Sequence, residues 1–304
     1  MKPAAFAYHR AASVDQCLEL LAQYGAEAKL LAGGQSLIPV LNMRLAAPAH
    51  LIDISRLSEL GSIDVTETSV RVGAAVTHAE LEADDGASTA LPILRQALVN
   101  VAHPAIRNRG TTVGSIAHAD TNGEMPAILA LTGGTAHAVS AAGSREIDAA
   151  ALYIGPLETC LEPDELITHV DFHRFPAGTR TGFTELARRS GDYALAGVAM
   201  ALTAEESTIT GLRLSFVSVT DLPTALDMSE QVSGMELKAT TELCAAVTEA
   251  VETAIDPAGD IHATADYRRH ITKVMARRLA VELSCRAPQP AAVRSSTREQ
   301  PGTH

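Results

Sequence analysis

The sequence predicts an α+β chain of two domains, and three observations lead there. Its 304 residues are about twice the usual domain length. Up to about Arg174, short strand-like runs alternate with helical ones. Phe175 to Thr181 (FPAGTRT) is then rich in Pro, Gly and Thr, and beyond it the pattern changes to longer strand-like runs and two long helices. We place the first domain at 1–177 and a smaller second one, of antiparallel sheet plus helices, at 178–286. Residues 287–304 lack apolar periodicity and are read as a disordered tail.

Each element has its own local reason. In Ser13 to Tyr24, Val14, Cys17, Leu18 and Leu21 fall at helical spacing and Gly25 stops the run. Ala28 to Ala32 reads as a short strand entering Gly33 and Gly34, and His50 to Ile54 as a second strand. Gly61 to Val72 has the pattern of a hairpin, with Ile63 and Val65 on one arm and Val70 and Val72 on the other. Thr77 and Glu80 have capping-box spacing at a helix start, and Leu91 to Val101 reads as an amphipathic helix closed by Pro104. The same spacing recurs at Thr121 and Glu124, with Pro126 just inside a helix that Gly133 and Gly134 end at Leu131. Thr135 to Asp148 reads as another hairpin. In the second domain, strands are expected at Ala194 to Leu202 and Leu212 to Val219, and helices at Glu242 to Ala254 and Asp266 to Ser284. There is no internal repeat.

Composition narrows the function. With 46% hydrophobic residues the chain builds sizeable cores, which excludes a mainly disordered or disulfide-stapled protein. A net charge of −12 repels polyphosphate backbones, so nucleic acid is not an expected partner. Aromatic residues are only 3% and Trp is absent, so a flat ring in the chemistry is expected to come from a ligand. The longest apolar stretches, such as Leu195 to Leu202, fall short of the roughly 20 residues of a membrane span. No apolar core of a signal peptide precedes Arg10, and a cytoplasmic location is expected. Cys17, Cys160, Cys244 and Cys285 form no close pair, so neither a zinc site nor an iron–sulfur cluster is read, and each is taken as a small buried hydrophobe.

Two small-residue loops carry the chemistry. Ala32-Gly33-Gly34-Gln35-Ser36-Leu37 follows a strand; adjacent glycines let successive amides point at one anion, although a ligand-free strand-to-helix turn has the same pattern. Gly110-Thr111-Thr112-Val113-Gly114-Ser115 is the second, again rich in hydroxyls. Together they suit a two-sided cradle for a pyrophosphate. Neither contains Lys or Arg, so backbone amides and hydroxyls must do the neutralising. No G-x-G-x-x-G follows a strand, and P-loop, H-E-x-x-H and G-x-S-x-G patterns are missing, so nothing anchors a Rossmann, P-loop or hydrolase reading.

AGGQSLIPVLNMRLAAPAHLIDI (32–54), HPAIRNRGTTVGSIAHAD (103–120) and ELARRSGDYALAGVA (185–199) closely resemble the FAD-binding medium subunits of bacterial molybdenum hydroxylases. That family includes the aerobic carbon monoxide dehydrogenases, the quinoline and nicotine dehydrogenases and, more distantly, the flavin domain of xanthine dehydrogenase. The resemblance covers residues 1 to 284, and ADYRRHITKVMARRLA (265–280) is similar to the family's closing helix. It implies a first domain of the vanillyl-alcohol-oxidase (PCMH) type that holds FAD noncovalently, with the pyrophosphate on Ala32 to Leu37 and Thr111 to Ser115. Glu124 corresponds to an acidic position near the flavin ribityl or ring edge, and Tyr193 to an aromatic one beside the isoalloxazine. Two positions depart from the family: Val113 replaces the first glycine of its TIGGS pattern, and Glu185 stands where many relatives have Lys.

The resemblance further implies a large molybdopterin subunit and a small subunit with two [2Fe–2S] clusters as partners, arranged as a dimer of heterotrimers. The chain then relays electrons through FAD to an external acceptor and contributes no catalytic or metal-binding residue. Other readings stay open at several points. The chain could be a stand-alone FAD oxidase or reductase of the same fold, or a non-enzymatic assembly subunit. Glu124 doubles as the capping-box partner of Thr121, and Tyr193 as a domain-interface packing residue. His118 is read as a hydrogen-bonded loop residue near Asp120; Arg107 and Arg109 as phosphate contacts or as exposed or salt-bridged side chains. The run from Arg268 to Arg278 is read as a solvated surface or a subunit contact.

Overall fold

The computed structural model describes residues 1–286, and the tail expected at 287–304 lies outside the described residues. Three short parallel strands, β1 (Ala7–Arg10), β2 (Ala28–Leu31) and β3 (His50–Asp53), form a first sheet in the order β1-β3-β2. Helix α1 (Val14–Tyr24) makes the crossover from β1 to β2. Ser13 caps it by accepting from the Gln16 amide, Gly25 ends it at φ 49°, and Cys17 and Leu21 turn its apolar stripe inward.

The second sheet contains both predicted hairpins. Strand β4 (Ile63–Val65) pairs with β5 (Ser69–Gly73) as the expected hairpin, Ile63 opposite Val72 and Val65 opposite Val70. Strand β6 (Thr135–Ser140) pairs with β7 (Gly143–Asp148). A small ribbon of β8 (Tyr153–Gly155) and β9 (Glu158–Thr159) follows. Strand β10 (Leu166–His173) then inserts between the hairpins to give the order β4-β5-β10-β6-β7. Val70, Val72, Ala136, Ala138, Val170 and Phe172 fill the core beneath this sheet, while the alternate residues of β10 face outward, as the two-residue period of a strand requires.

Helix α2 (Glu124–Thr132) is the central support. Every residue from Met125 to Thr132 is buried, as expected of a helix covered on all sides. It packs against β10 and also against a third sheet of β11 (Arg180–Ala187), β12 (Ala194–Glu205), β13 (Thr208–Val217) and β14 (Ala225–Asp227). Helices α3 (Thr241–Ala254) and α4 (Ala265–Cys285) cover the other face of that sheet. Alternate residues of β12 therefore enter different cores: Ala199 and Ala201 the first, Val198, Met200 and Leu202 the second. This explains why β12 reads as a nearly continuous apolar run.

Several local expectations are corrected. The Leu91–Val101 helix is cut to Ile93–Leu98 because Leu91, before Pro92, leaves helical geometry at φ −146° and ends the preceding helix Asp85–Ala90. Pro104 opens the helix Pro104–Arg107 rather than only closing the one before it. The capping box at Thr77 and Glu80 forms, but the one at Thr121 and Glu124 does not. Gly123 is the cap of α2 and Glu124 its first helical residue, while the Thr121 carbonyl accepts from the Ser218 amide beyond β13. Of the four cysteines only Cys17 is buried; Cys160 and Cys244 are partly exposed and Cys285 is exposed at the end of α4. Arg268 is not a solvated surface residue but is 6% exposed, donating to the Leu195 carbonyl and to Asp260.

Candidate functional site

The two glycine-rich loops meet. A Cβ on Gly33 would lie 2.1 Å from the Arg109 carbonyl oxygen and 2.7 Å from Gly110 Cα, so the close approach of backbone to backbone requires a glycine there. Gly34 has φ 73°, and the Gln35 side chain donates to the Gly33 carbonyl at 3.2 Å. Among the described residues, the amides of Gly34, Gln35 and Ser36 donate to no protein group. Ala32, Gly33, Gly34, Gln35, Ser36 and Leu37 thus form one wall with donors to spare.

The opposite wall begins at Thr111, which caps the helix Thr112–His118 by accepting from the Gly114 amide at 3.1 Å. A Cβ on Gly114 would lie 2.4 Å from the Thr111 hydroxyl oxygen, so the cap needs that glycine. Thr112 is fully buried with its hydroxyl 3.1 Å from Nδ1 of His78, whose pKa falls to about 4 through burial and the nearby Arg107 charge. The Val113 side chain is 3% exposed and sits in the core. The departure from the family pattern therefore adds packing instead of obstructing the loop. Restoring glycine at 113 is expected to lower stability by about 2 kcal/mol, from lost burial and helix propensity, while FAD content stays unchanged; chemical denaturation and flavin release measure the two separately.

Ser115 carries the surface onward. Its hydroxyl oxygen lies 3.4 Å from where a Cβ on Gly123 would stand, directly before Glu124. Glu124 from α2 faces Glu185 from β11, with Asp120 and Tyr193 alongside. Burial, with the Asp120 charge, pushes the Glu124 pKa up to about 7; burial, with the Glu124 charge, pushes Glu185 up to about 8. Glu185 Oε2 is buried with no hydrogen-bond partner. Tyr193 is 67% exposed, so it does not pack between the two domains of the chain; only its hydroxyl end is sheltered, and that burial, then Asp120 and Glu124, raises the phenol pKa. Gly191, at φ 84°, seats the Tyr193 loop on the His103 ring, which a Cβ would approach to 2.5 Å.

The protonation of Glu185 has a testable sign. Its folded pKa of about 8 lies above the ordinary 4.5, so the stability held by the neutral form is complete below pH 4.5 and is lost as pH rises through 8. Because the side chain is only partly buried, solvent screens part of this loss. Wild-type stability is expected to fall by about 1–2 kcal/mol more than that of Glu185→Gln between pH 6 and pH 9. Equal losses in the two proteins would show that Glu185 is ionised throughout.

The other singled-out residues play supporting parts. Arg107 pairs with Glu82 at 2.7 Å and donates to the Val101 and Ala102 carbonyls. Arg109 presents its carbonyl beneath Gly33 while its side chain is exposed. His118 is the last residue of the Thr112–His118 helix, not a loop residue, and Asp120 accepts from the amide and side chain of Asn122. Sequence spacing did not bring forward His137, His169 and Asp171, which the second sheet places together on its outer face.

Known proteins match this arrangement along nearly the whole described chain. The family model of an FAD binding domain in molybdopterin dehydrogenase matches residues 4–174, and that of the CO dehydrogenase flavoprotein C-terminal domain matches residues 181–283. The matches define an oxidoreductase chain with an FAD-binding domain. The chain is 38% identical to the nicotine 6-hydroxylase medium subunit of Paenarthrobacter nicotinovorans, over 94% of this chain and 100% of that one. It is 35% identical to the carbon monoxide dehydrogenase medium chain of Hydrogenophaga pseudoflava, over 91% and 96%. The solved CO dehydrogenase from Oligotropha carboxidovorans superposes with a TM-score of 0.88 at 33% identity, over 94% of this chain and 100% of that chain. This chain belongs to the family of FAD-binding medium subunits of molybdenum hydroxylase complexes. Among the described residues, no helix is long and apolar enough to cross a membrane.

Proposed function

We propose that this chain is the electron-transfer flavoprotein of a cytoplasmic complex in which a large molybdopterin subunit oxidises the substrate. Electrons leave through the [2Fe–2S] clusters of a small subunit and reach an external acceptor by way of this chain. In this reading residues 1–177 hold FAD noncovalently, residues 178–286 complete the ring end of the site, and the assembly is a dimer of heterotrimers. FAD supplies the chemistry that joins one-electron carriers to a two-electron acceptor.

The observation that carries the proposal is the run of neighbours from the free amides of Gly34–Ser36, whose loop meets Arg109 and Gly110 at Gly33, through Ser115 beside Gly123, to the cluster of Glu124, Glu185 and Tyr193. Its unpaired amides suit a diphosphate without a cationic side chain. At its other end, the orphaned Glu185 oxygen suits a polar atom of the ring or ribityl chain, because a buried acceptor without a donor costs about 1–3 kcal/mol. A protonated Glu185 can donate to a ring acceptor, and the exposed face of Tyr193 can lie against a flat ring. The chain's residues thus bind, orient and set the charge around the cofactor.

Purified chain is expected to carry a yellow chromophore that denaturation releases unmodified. The flavin should be reduced by the complex's substrate only when the other two subunits are present. A folded chain that takes up no added FAD would overturn the reading. Reduction by a small substrate without partners would instead support the stand-alone oxidase or reductase.

A further inference from the structure

We propose that the outer face of the second sheet holds a divalent transition ion of the Zn²⁺ class, bound by His137, His169 and Asp171. The three residues come from adjacent strands, His137 on β6 and the other two on β10, and their ligand atoms all lie within 4.8 Å of one another. His137 and His169 are paired across the sheet, and the register shift between Ile167 and His169 lies in that pairing. A bulge of this kind re-aims the side chain that follows it. The two imidazoles stack with centroids 4.1 Å apart and planes 19° apart, so binding one ion turns one ring out of the stack to bring both lone pairs onto it.

The donor set suits such an ion. His169 Nδ1 stands 3.0 Å from the Thr168 hydroxyl, while its Nε2 is buried with no hydrogen-bond partner. A buried, unpaired imidazole nitrogen is costly unless something fills its lone pair, and a metal ion does so. His137 Nε2 lies 2.8 Å from Asp171 Oδ2, where the ion takes the place of the bridging hydrogen. Tetrahedral ligands at about 2.0–2.2 Å stand about 3.3 Å apart, so this contact widens by roughly 0.5 Å.

The surroundings complete the site in the manner of known zinc centres. Glu146 on β7 stands 3.6 Å from the other nitrogen of His137, where a carboxylate orients a metal-bound imidazole. Arg71 holds Asp171 from the far side, with Nε and Nη2 donating to Oδ1 and Oδ2 at 3.0 and 2.8 Å, and leaves a lone pair of Oδ2 for the ion. The Arg71 charge opposes a cation, and Asp171, Asp64 and Glu146 are the carboxylates that face it. The groove beside the two histidines is lined by Val139, Ser144, Thr168 and Arg145, and the Arg145 charge is engaged by Glu165 at 2.7 Å. With two nitrogens and one oxygen, Zn²⁺ and Cu²⁺ are favoured over Mg²⁺ or Ca²⁺. The site is independent of the flavin reading, since none of its residues belongs to the loops or the acid cluster.

The test uses the tag-free full chain with its FAD, stripped by chelator and dialysed against Zn²⁺, with bound metal and flavin measured in the same sample. Wild type is expected to hold one ion at this site. His169→Ala and His137→Gln should each weaken that binding by at least about 100-fold, since losing a ligand costs no less than losing an outer-shell partner, without changing FAD content or the far-ultraviolet spectrum. Zinc should also raise the melting temperature of wild type but not of His169→Ala, and X-ray absorption should report nitrogen and oxygen ligands only. No retained zinc in wild type, equal retention by a folded His169→Ala, or sulfur ligation from the partly exposed cysteines would each overturn the proposal.

Discussion

Replacing Gly33 with valine is expected to lower bound FAD by at least about tenfold, which corresponds to about 1.4 kcal/mol of lost binding. The first β-carbon would already stand 2.1 Å from the Arg109 carbonyl oxygen, and both contacting groups are backbone, so no side chain can swing aside. The loops must separate, and with them the amides of Gly34 to Ser36. Gly61→Ala is the control, since the nearest atom to its added carbon is at an ordinary 3.4 Å. Flavin released by denaturation, per mole of chain, measures the effect, and circular dichroism verifies the fold. Full flavin content in a folded Gly33→Val protein would remove this loop from the binding site.

Arg268→Ala is expected to destabilise the chain by about 2 kcal/mol, the scale of leaving a buried carbonyl without its donor, since its other partner, Asp260, is exposed and stays hydrated. The reason lies in the register of β12. Leu186 pairs with Ala196 and Ala187 with Ala194, so Leu195 is a bulge residue with no partner across the β11–β12 ladder. Arg268 reaches from α4 to supply that partner, donating to the Leu195 carbonyl at 2.6 Å and to Asp260 at 2.6 Å. Truncation leaves the carbonyl unsatisfied in a buried setting. Leu195 is two residues from Tyr193, so the same variant is expected to loosen the aromatic end of the site. Denaturant titration gives the stability, and a change below about 0.5 kcal/mol, the scale of an ordinary surface substitution, would show that Arg268 is dispensable.

Elements with a self-contained period were legible. Helix α1, the hairpins β4–β5 and β6–β7, and helices α3 and α4 lie where apolar spacing and turn residues put them. Strands β10 and β11 went unread. In β10 the inward Val170 and Phe172 alternate with His169 and Asp171, but Asp171 is itself buried beneath Arg71 and His137, and no turn signal marks the strand's partners. Its neighbours β5 and β6 are supplied from far upstream in the chain. The two capping-box patterns had equal standing as sequence, and only one formed. At Thr121 the carbonyl is engaged by Ser218 and Gly123 starts the helix, a competition between local and distant bonds that spacing does not reveal.

The sequence by itself determined the two glycine loops, because a strand ending in paired glycines and a threonine capping a helix are properties of a few adjacent residues. It also determined the family, through motifs spread over most of the chain. Only the tertiary structure decided that Val113 is a core residue, that Glu185 lies unpaired against Glu124, and that two histidines and an aspartate share the outer face of one sheet. The physical reason is distance along the chain. A loop's amide geometry follows from its own backbone angles, whereas the charge on a carboxyl and the donor set around an ion depend on which strands packing brings beside them.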